Sequence, residues 1–211
     1  MSTTSHITDE FPTLAAASAK LDQGGGGFGT AVRFALVVIA CFGLLLPAVG
    51  VLLGQGLFPA QANGSLIEHD GRVVGSALIA QAFADEKYFR PRPSAAGFDP
   101  KAMSGSNWAP SNPALRERVA ATSAEVAARE HVPASAIPSD LVTASGSGMD
   151  PHISRAAAAL QIERVARARH LDVSRVRALV AAHTEPPTGG VLGQARVNVL
   201  QLNLALDEAT P

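Results

Sequence analysis

A single cysteine, Cys41, stands in the 211 residues, so no intrachain disulfide can form and cysteine usage says nothing about redox compartment. Neither sign of charge is in excess: Lys plus Arg number 17 and Asp plus Glu 18. From Asn63 onward there are 15 of each, once Lys20 and Arg33, and Asp9, Glu10 and Asp22, are set aside. A neutral domain offers no broad attraction to nucleic acid or anionic lipid. The Gly-Lys-Ser/Thr ending of a phosphate loop is absent, and so is a Gly-x-Ser-x-Gly nucleophile elbow. The six histidines (His6, His69, His131, His152, His170 and His183) show no ligand-pair spacing, which argues against a metal site. No internal repeat of useful length is present, so a solenoid is not indicated.

What is present is one uncharged apolar run, FALVVIACFGLLLPAVGVLLGQGLF, from Phe34 to Phe58. Its 25 residues, at about 1.5 Å of rise each, exceed the roughly 30 Å of a bilayer's hydrocarbon core. The run has no polar face, and it predicts one transmembrane helix over residues 31–58. Ala60-Gln61-Ala62 resembles a signal-peptidase site, but the run is longer than a signal core and about thirty residues precede it, so an uncleaved anchor is expected. Val38-Ile39-Ala40-Cys41 resembles a lipoprotein cleavage box, yet the apolar run continues well past Cys41. Lys20 and Arg33 flank the amino end, whereas the first basic residue beyond the run is Arg72. The positive-inside rule therefore predicts a cytoplasmic amino terminus and an external, periplasmic carboxyl domain on the cell (inner) membrane. Pro47 predicts a kink.

Residues 1–30, with Gly24 to Gly27, read as a flexible cytoplasmic tail. Residues 63–211 suffice for one soluble domain with its own core. A turn at His69-Asp70-Gly71 leads to a strand through Val73 and Val74, and Ala77 to Phe83 either extends it or begins a helix. Residues 88–113 are loop-like, with five prolines. Helices are predicted over Leu115 to Arg129, Arg155 to Arg169 and Ser174 to His183, and a β-like run at Leu141-Val142-Thr143. Val197 to Leu206 fits a strand or an amphipathic helix equally well. The fold class is α+β, one amino-terminal transmembrane helix followed by a single soluble domain.

Ser145-Gly146-Ser147-Gly148 ahead of a helix is backbone that can cradle an anion, because glycines allow close approach and a helix start presents free N–H groups. The plainer reading is a turn ending at a helix cap, with Asp150 or Ser154 as cap and Pro151 at the first helical position. Ser147, Asp150 and His152 are triad residue types, but three triad members within six positions of one loop rarely align. Arg155, Arg164, Arg167, Arg169, Arg175 and Arg177 make the two central helices basic, so residues 158–182 also resemble a helix-turn-helix. A membrane-tethered DNA-binding regulator is the resulting alternative of another class. It requires the opposite topology.

Six strings in order resemble one family: VVGSALIAQAF (Val73 to Phe83), YFRPRPSA (Tyr88 to Ala95), SGSNWAPSNPAL (Ser104 to Leu115), VTASGSGMDPHIS (Val142 to Ser154), QIERVARAR (Gln161 to Arg169) and GQARVNVLQLNLALD (Gly193 to Asp207). Behind a single amino-terminal span, they are similar to the C subunits of the bacterial high-affinity potassium-transporting ATPase, the Kdp complex. The resemblance runs from Ala31 to about Asp207. Ala80 replaces a usual glycine, Met149 a usual leucine, and Arg90-Pro91 departs from a glycine-containing form.

The resemblance implies a non-catalytic accessory subunit of an ATP-driven potassium uptake pump. Its expected partners are an ion-translocating, channel-like subunit and a P-type ATPase subunit, with potassium as the cargo of the complex and no nucleic acid involved. It also implies a catalytic-chaperone role, raising the ATPase subunit's affinity for ATP. The nucleotide- or partner-contacting residues would be Thr143, Ser145, Gly146, Ser147, Gly148, Asp150, His152 and Ser154. An external domain stands across some 30 Å of hydrocarbon from cytoplasmic ATP. The competing expectation is an external cap that holds the complex together or shapes potassium entry.

Overall fold

The computed structural model of the chain describes residues 27–209, so the expected cytoplasmic tail lies outside the described residues up to position 26. Two compact units divide after Ala62. The first is helix α1, Phe28–Leu57, 30 residues with a mean hydropathy of 2.8, long and apolar enough to cross a membrane. None of its side chains is buried, as expected for a helix whose surroundings are apolar on every side. Ahead of Pro47, the position of the predicted kink, lies a π-helical stretch, Ile39–Leu45, and Leu46 N–H reaches back five residues to the Cys41 carbonyl. Proline has no N–H and its ring presses on the preceding turn, so the wider π turn lies where the regular ladder is disfavoured.

The second unit begins with an antiparallel hairpin, β1 (Leu66–His69) and β2 (Arg72–Ser76). Asp70 (φ 50°) and Gly71 (φ 71°) both take left-handed backbone, the two-residue turn that matches strand twist. The expected strand through Val73 and Val74 is therefore present. Residues 77–83 neither extend it nor form a helix. Side chains hold this segment instead: Asn198 Nδ2 donates to Ala77 O, Ser76 Oγ accepts from Leu78 N–H, and Gln81 Nε2 donates to Val74 O.

Helix α2 (Pro113–Glu130) starts where Asn112-Pro113 directs. The Asn112 side chain accepts from Ala114 N–H, Pro113 occupies the first turn, and His131 closes the helix with left-handed backbone. The β-like run expected at Leu141-Val142-Thr143 is a 3-10 turn, Ser139–Leu141. Pro138 starts it, and Thr143 returns both N–H and Oγ1 to the Ser139 carbonyl, which closes the chain locally.

Strand β3 (His152–Ser154) runs directly into helix α3 (Arg155–Ala168), followed by α4 (Val173–Ala182), β4 (Thr184–Glu185), β5 (Arg196–Asn198) and α5 (Val199–Ala209). The three strands form an antiparallel sheet in the order β3-β5-β4. Val197 to Leu206 thus holds both alternatives, one strand turn and then a helix. Ser154 caps α3 by accepting from Ala157 N–H at 3.0 Å. The expected Asp150 cap with Pro151 at the first helical position is not formed, because residues 152–154 pair with 196–198 as a strand. Ile153, Ala157, Ala158, Val165, Val176, Val197, Leu202 and Leu206 make one core with Phe89, Val126 and Leu141. The architecture is α+β.

Candidate functional site

The signature segment 143–154 is bonded mainly to other loops of its own domain. Ser145, 3% exposed, donates its N–H to Pro93 O at 3.1 Å and accepts Gly148 N–H at 3.3 Å. Ser94 Oγ donates to Gly148 O at 2.6 Å while accepting the N–H groups of Ala96 and Phe98. Ser147 Oγ accepts Met149 N–H at 3.1 Å, and Ala80 N–H donates to Met149 O at 3.0 Å. The YFRPRPSA loop and the SGSG loop are therefore laced backbone to backbone.

The two signature glycines differ. Gly148 has φ +72°, and a Cβ there would lie 2.7 Å from Ser104 O and 2.9 Å from Ala96 Cβ. Gly146 has no neighbour within 4 Å of a built Cβ, whereas a Cβ on Gly105 would come within 2.5 Å of Gly146 O. Close approach of the chain to itself thus requires Gly148 and Gly105. The strand His152–Ser154 also separates the glycines from the start of α3, so no helix N-terminus opens onto them. The segment does not fit a phosphate cradle: its N–H groups at 145, 148 and 149 are used internally, and no lysine is adjacent.

Asp150, His152 and Ser154 come together in a cleft of about 270 Å³ with Arg92, Asp140 and Arg196. Thr143, Ser145, Gly146, Ser147 and Gly148 do not line it. Asp150 Oδ1 accepts His152 N–H at 3.0 Å and lies 3.5 Å from His152 Nδ1, and its Oδ2 accepts from Arg92 Nη1 at 3.1 Å. Burial pushes the Asp150 pKa up, but hydrogen bonds from His152 and Arg92 outweigh it and hold the carboxyl below its ordinary range. Asp140 is spent on Ser154, accepting its N–H at 2.7 Å and its Oγ–H at 3.1 Å. Ser147 Oγ has no bond to His152, so the three triad residue types do not form a nucleophile-base pair. Among the described residues, no group of three or more His, Cys, Asp or Glu side chains gathers as a metal site.

The basic helix pair resolves differently from its sequence. Arg164, 4% exposed, donates from Nε to Glu130 and from Nη2 to Gln161, and its Nη1 donates to the carbonyls of Glu86 and Tyr88. Arg169, 8% exposed, bonds Lys87 O, Leu206 O and Asp207 and stacks on Tyr88. These two arginines are internal struts, which removes them from any recognition surface. Two buried amides, absent from the sequence-based candidates, complete the scaffold. Asn203 accepts Phe89 N–H and donates to Phe89 O, and Gln161 does the same for Arg90. A polar residue on the apolar face of a predicted helix was their signal: Gln161 sits beside Ala158, Ile162 and Val165, and Asn203 beside Val199, Leu202 and Leu206.

The class defined by these features is a chain with, among the described residues, one helix long and apolar enough to cross a membrane, followed by an α+β unit whose signature loops brace one another. The family described as "K+-transporting ATPase, c chain" matches residues 28–208, and the chain belongs to that family. The potassium-transporting ATPase KdpC subunit of Shewanella putrefaciens is 55% identical over 177 residues, covering 84% of this chain and 89% of the relative. That of Ralstonia nicotianae is 49% identical over 199 residues, covering 93% and 98%. The KdpC subunit of Rhodospirillum rubrum is 53% identical over 188 residues, covering 85% and 96%.

Proposed function

We propose that this chain is a non-catalytic accessory subunit of an ATP-driven potassium uptake pump. α1 anchors it, its amino terminus is cytoplasmic, and its α+β domain lies on the external face as a cap on the ion-translocating subunit. Its partners are that channel-like subunit and the P-type ATPase subunit. The observation that carries the cap role is the inward bonding of the signature segment: Ser145, Gly148, Asp150 and Ser154 are occupied by Pro93, Ser94, Arg92 and Asp140. A segment whose polar groups are consumed in this way sets the shape of a rigid surface, which is what a subunit contact needs. Charge placement supports the external side, since Lys20 and Arg33 flank only the amino end of the span.

The second reading, a role in raising the ATPase subunit's affinity for ATP, draws on the exposed tip at Gly146 and Ser147. It requires the domain to face the cytoplasm. Sidedness separates the two. Cys41 lies within the span, so a cysteine engineered at the exposed Ala121 gives the thiol signal of the domain. Labelling by an impermeant reagent in intact cells or spheroplasts is expected. Labelling only after lysis would overturn the cap and leave the nucleotide reading.

A further inference from the structure

A second cleft, of about 300 Å³, lies between the proline-rich loop and α2, lined among others by Phe83, Arg90, Arg92, Phe98, Glu125 and Arg129. Three guanidinium groups share one small space of mixed polar and apolar lining. Two of them are matched: Arg92 pairs with Asp150 at 3.1 Å and Arg129 with Glu130 at 2.9 Å. Arg90 makes no ion pair among the described residues, and its Nη2 donates only to the Ala84 carbonyl. The Nε atoms of Arg90 and Arg92 are both buried and have no hydrogen-bond partner. Burial first, then repulsion by Arg129 and Arg164, pushes the Arg90 pKa down, with Glu130 and Glu86 offsetting part of that. A guanidinium nevertheless stays protonated at neutral pH, so the unfavourable environment remains as an unmet charge.

A part-buried cation with no carboxylate at ion-pair distance, where repulsion by Arg129 and Arg164 outweighs attraction by Glu130 and Glu86, is stabilised by an added anion. Guanidinium groups offer the forked donors that match a planar or tetrahedral oxyanion. The space is small, and Phe83, Phe98, Val126 and Leu141 wall it, which suits a compact group and excludes a large polyanion.

We propose that this cleft binds one compact oxyanion, a phosphate or carboxylate group, held by Arg90 and Arg92 with Arg129 at its wall. The anion arrives either free in solution or as an acidic side chain of a neighbouring subunit. Only the second source rests on the accessory-subunit reading. Glu125, exposed on α2, is the one acidic residue lining the cleft and opposes binding.

The test uses the full chain in detergent, unfolded thermally against inorganic phosphate at ionic strength held constant with chloride. A free-anion site predicts a saturable rise in the midpoint for wild type. Glu125→Gln should then lower the half-saturating phosphate by roughly threefold, the effect of removing one nearby charge, and Arg90→Gln should abolish the response. The gain in Glu125→Gln is a readout that misfolding cannot imitate. If the isolated chain does not respond, the partner source predicts a result in the assembled complex. Arg90→Lys keeps the subunit through purification, while Arg90→Gln and Arg90→Glu lose it, all three chains unfolding cooperatively alone. Any other pattern overturns the proposal, in particular an equal phosphate response in all variants together with full retention of Arg90→Glu. The phosphate arm needs no partner, so its result stands apart from that of the sidedness experiment.

Discussion

Replacing Gly148 and Gly146 in turn by alanine separates a glycine that the fold needs from one that it does not. At Gly148 two costs combine. Left-handed backbone at φ +72° disfavours any Cβ by about 1–2 kcal/mol. The new methyl would also sit 2.7 Å from Ser104 O and 2.9 Å from Ala96 Cβ, and Ser94 fixes Ala96 through its N–H and Gly148 through its carbonyl. Overpacking of that kind costs about 1–3 kcal/mol. The sum, about 2–5 kcal/mol, raises the unfolded fraction by roughly 30- to 4,000-fold at about 1.4 kcal/mol per decade. Gly146→Ala meets nothing within 4 Å and should stay within about 0.5 kcal/mol of wild type. Denaturant unfolding of the full chain in detergent, followed by far-UV circular dichroism, reads both as midpoint shifts at constant slope. Equal losses in the two variants would refute the steric account, and so would a Gly148→Ala chain as stable as wild type.

Other substitutions test the scaffold under the signature loops. Asn203→Ala strands both Phe89 main-chain groups in the core and should cost about 2–4 kcal/mol in the same assay; a loss below about 1 kcal/mol would mean that water replaces the amide. Glu130→Ala leaves the Arg164 guanidinium buried and unpaired, for which about 3–5 kcal/mol is expected, and the double change Glu130→Ala with Arg164→Met should recover much of it. For Asp150 the folded-state pKa is depressed, so its ionisation stabilises the fold above the unfolded pKa of about 4, and that contribution is lost as pH falls through the folded value. Asp150→Asn should therefore be less stable than wild type at pH 7, with the gap closing below about pH 4. A gap unchanged down to pH 2 would contradict this sign.

The sequence carried the elements wherever a local code existed. His69-Asp70-Gly71 marked a turn ahead of the strand through Val73 and Val74, and the uncharged run from Phe34 to Phe58 lies almost wholly within α1, which begins earlier, at Phe28. It failed where a main-chain bond that composition does not reveal decides the backbone. Leu141-Val142-Thr143 has strand composition, yet Pro138 and the Ser139 carbonyl close it into a 3-10 turn. Pro151 looked like a first helical residue until residues 196–198 drew 152–154 into a sheet. The candidate site was legible as a string but not as an arrangement. Its eight residues divide between a buttressed loop and a separate cleft, and the residues that brace them (Arg92, Ser94, Gly105 and Asp140) lie up to 58 positions away.

That division bears on how a loop rich in serine and glycine comes to resemble a nucleotide cradle. A phosphate site needs glycine so that a ligand can approach the backbone, and it leaves the N–H groups free. Here the same glycine requirement arises because other backbone approaches: Ser104 O faces Gly148, and Gly146 O faces Gly105. The consequence is mechanical. The loops at 88–98 and 145–150 cannot move independently, because displacing one breaks the bonds made by Ser94, Ser145 and Arg92 together. A surface built from two such loops keeps its shape with little ordering cost when a partner docks, which is the physical advantage of preorganisation in a subunit contact.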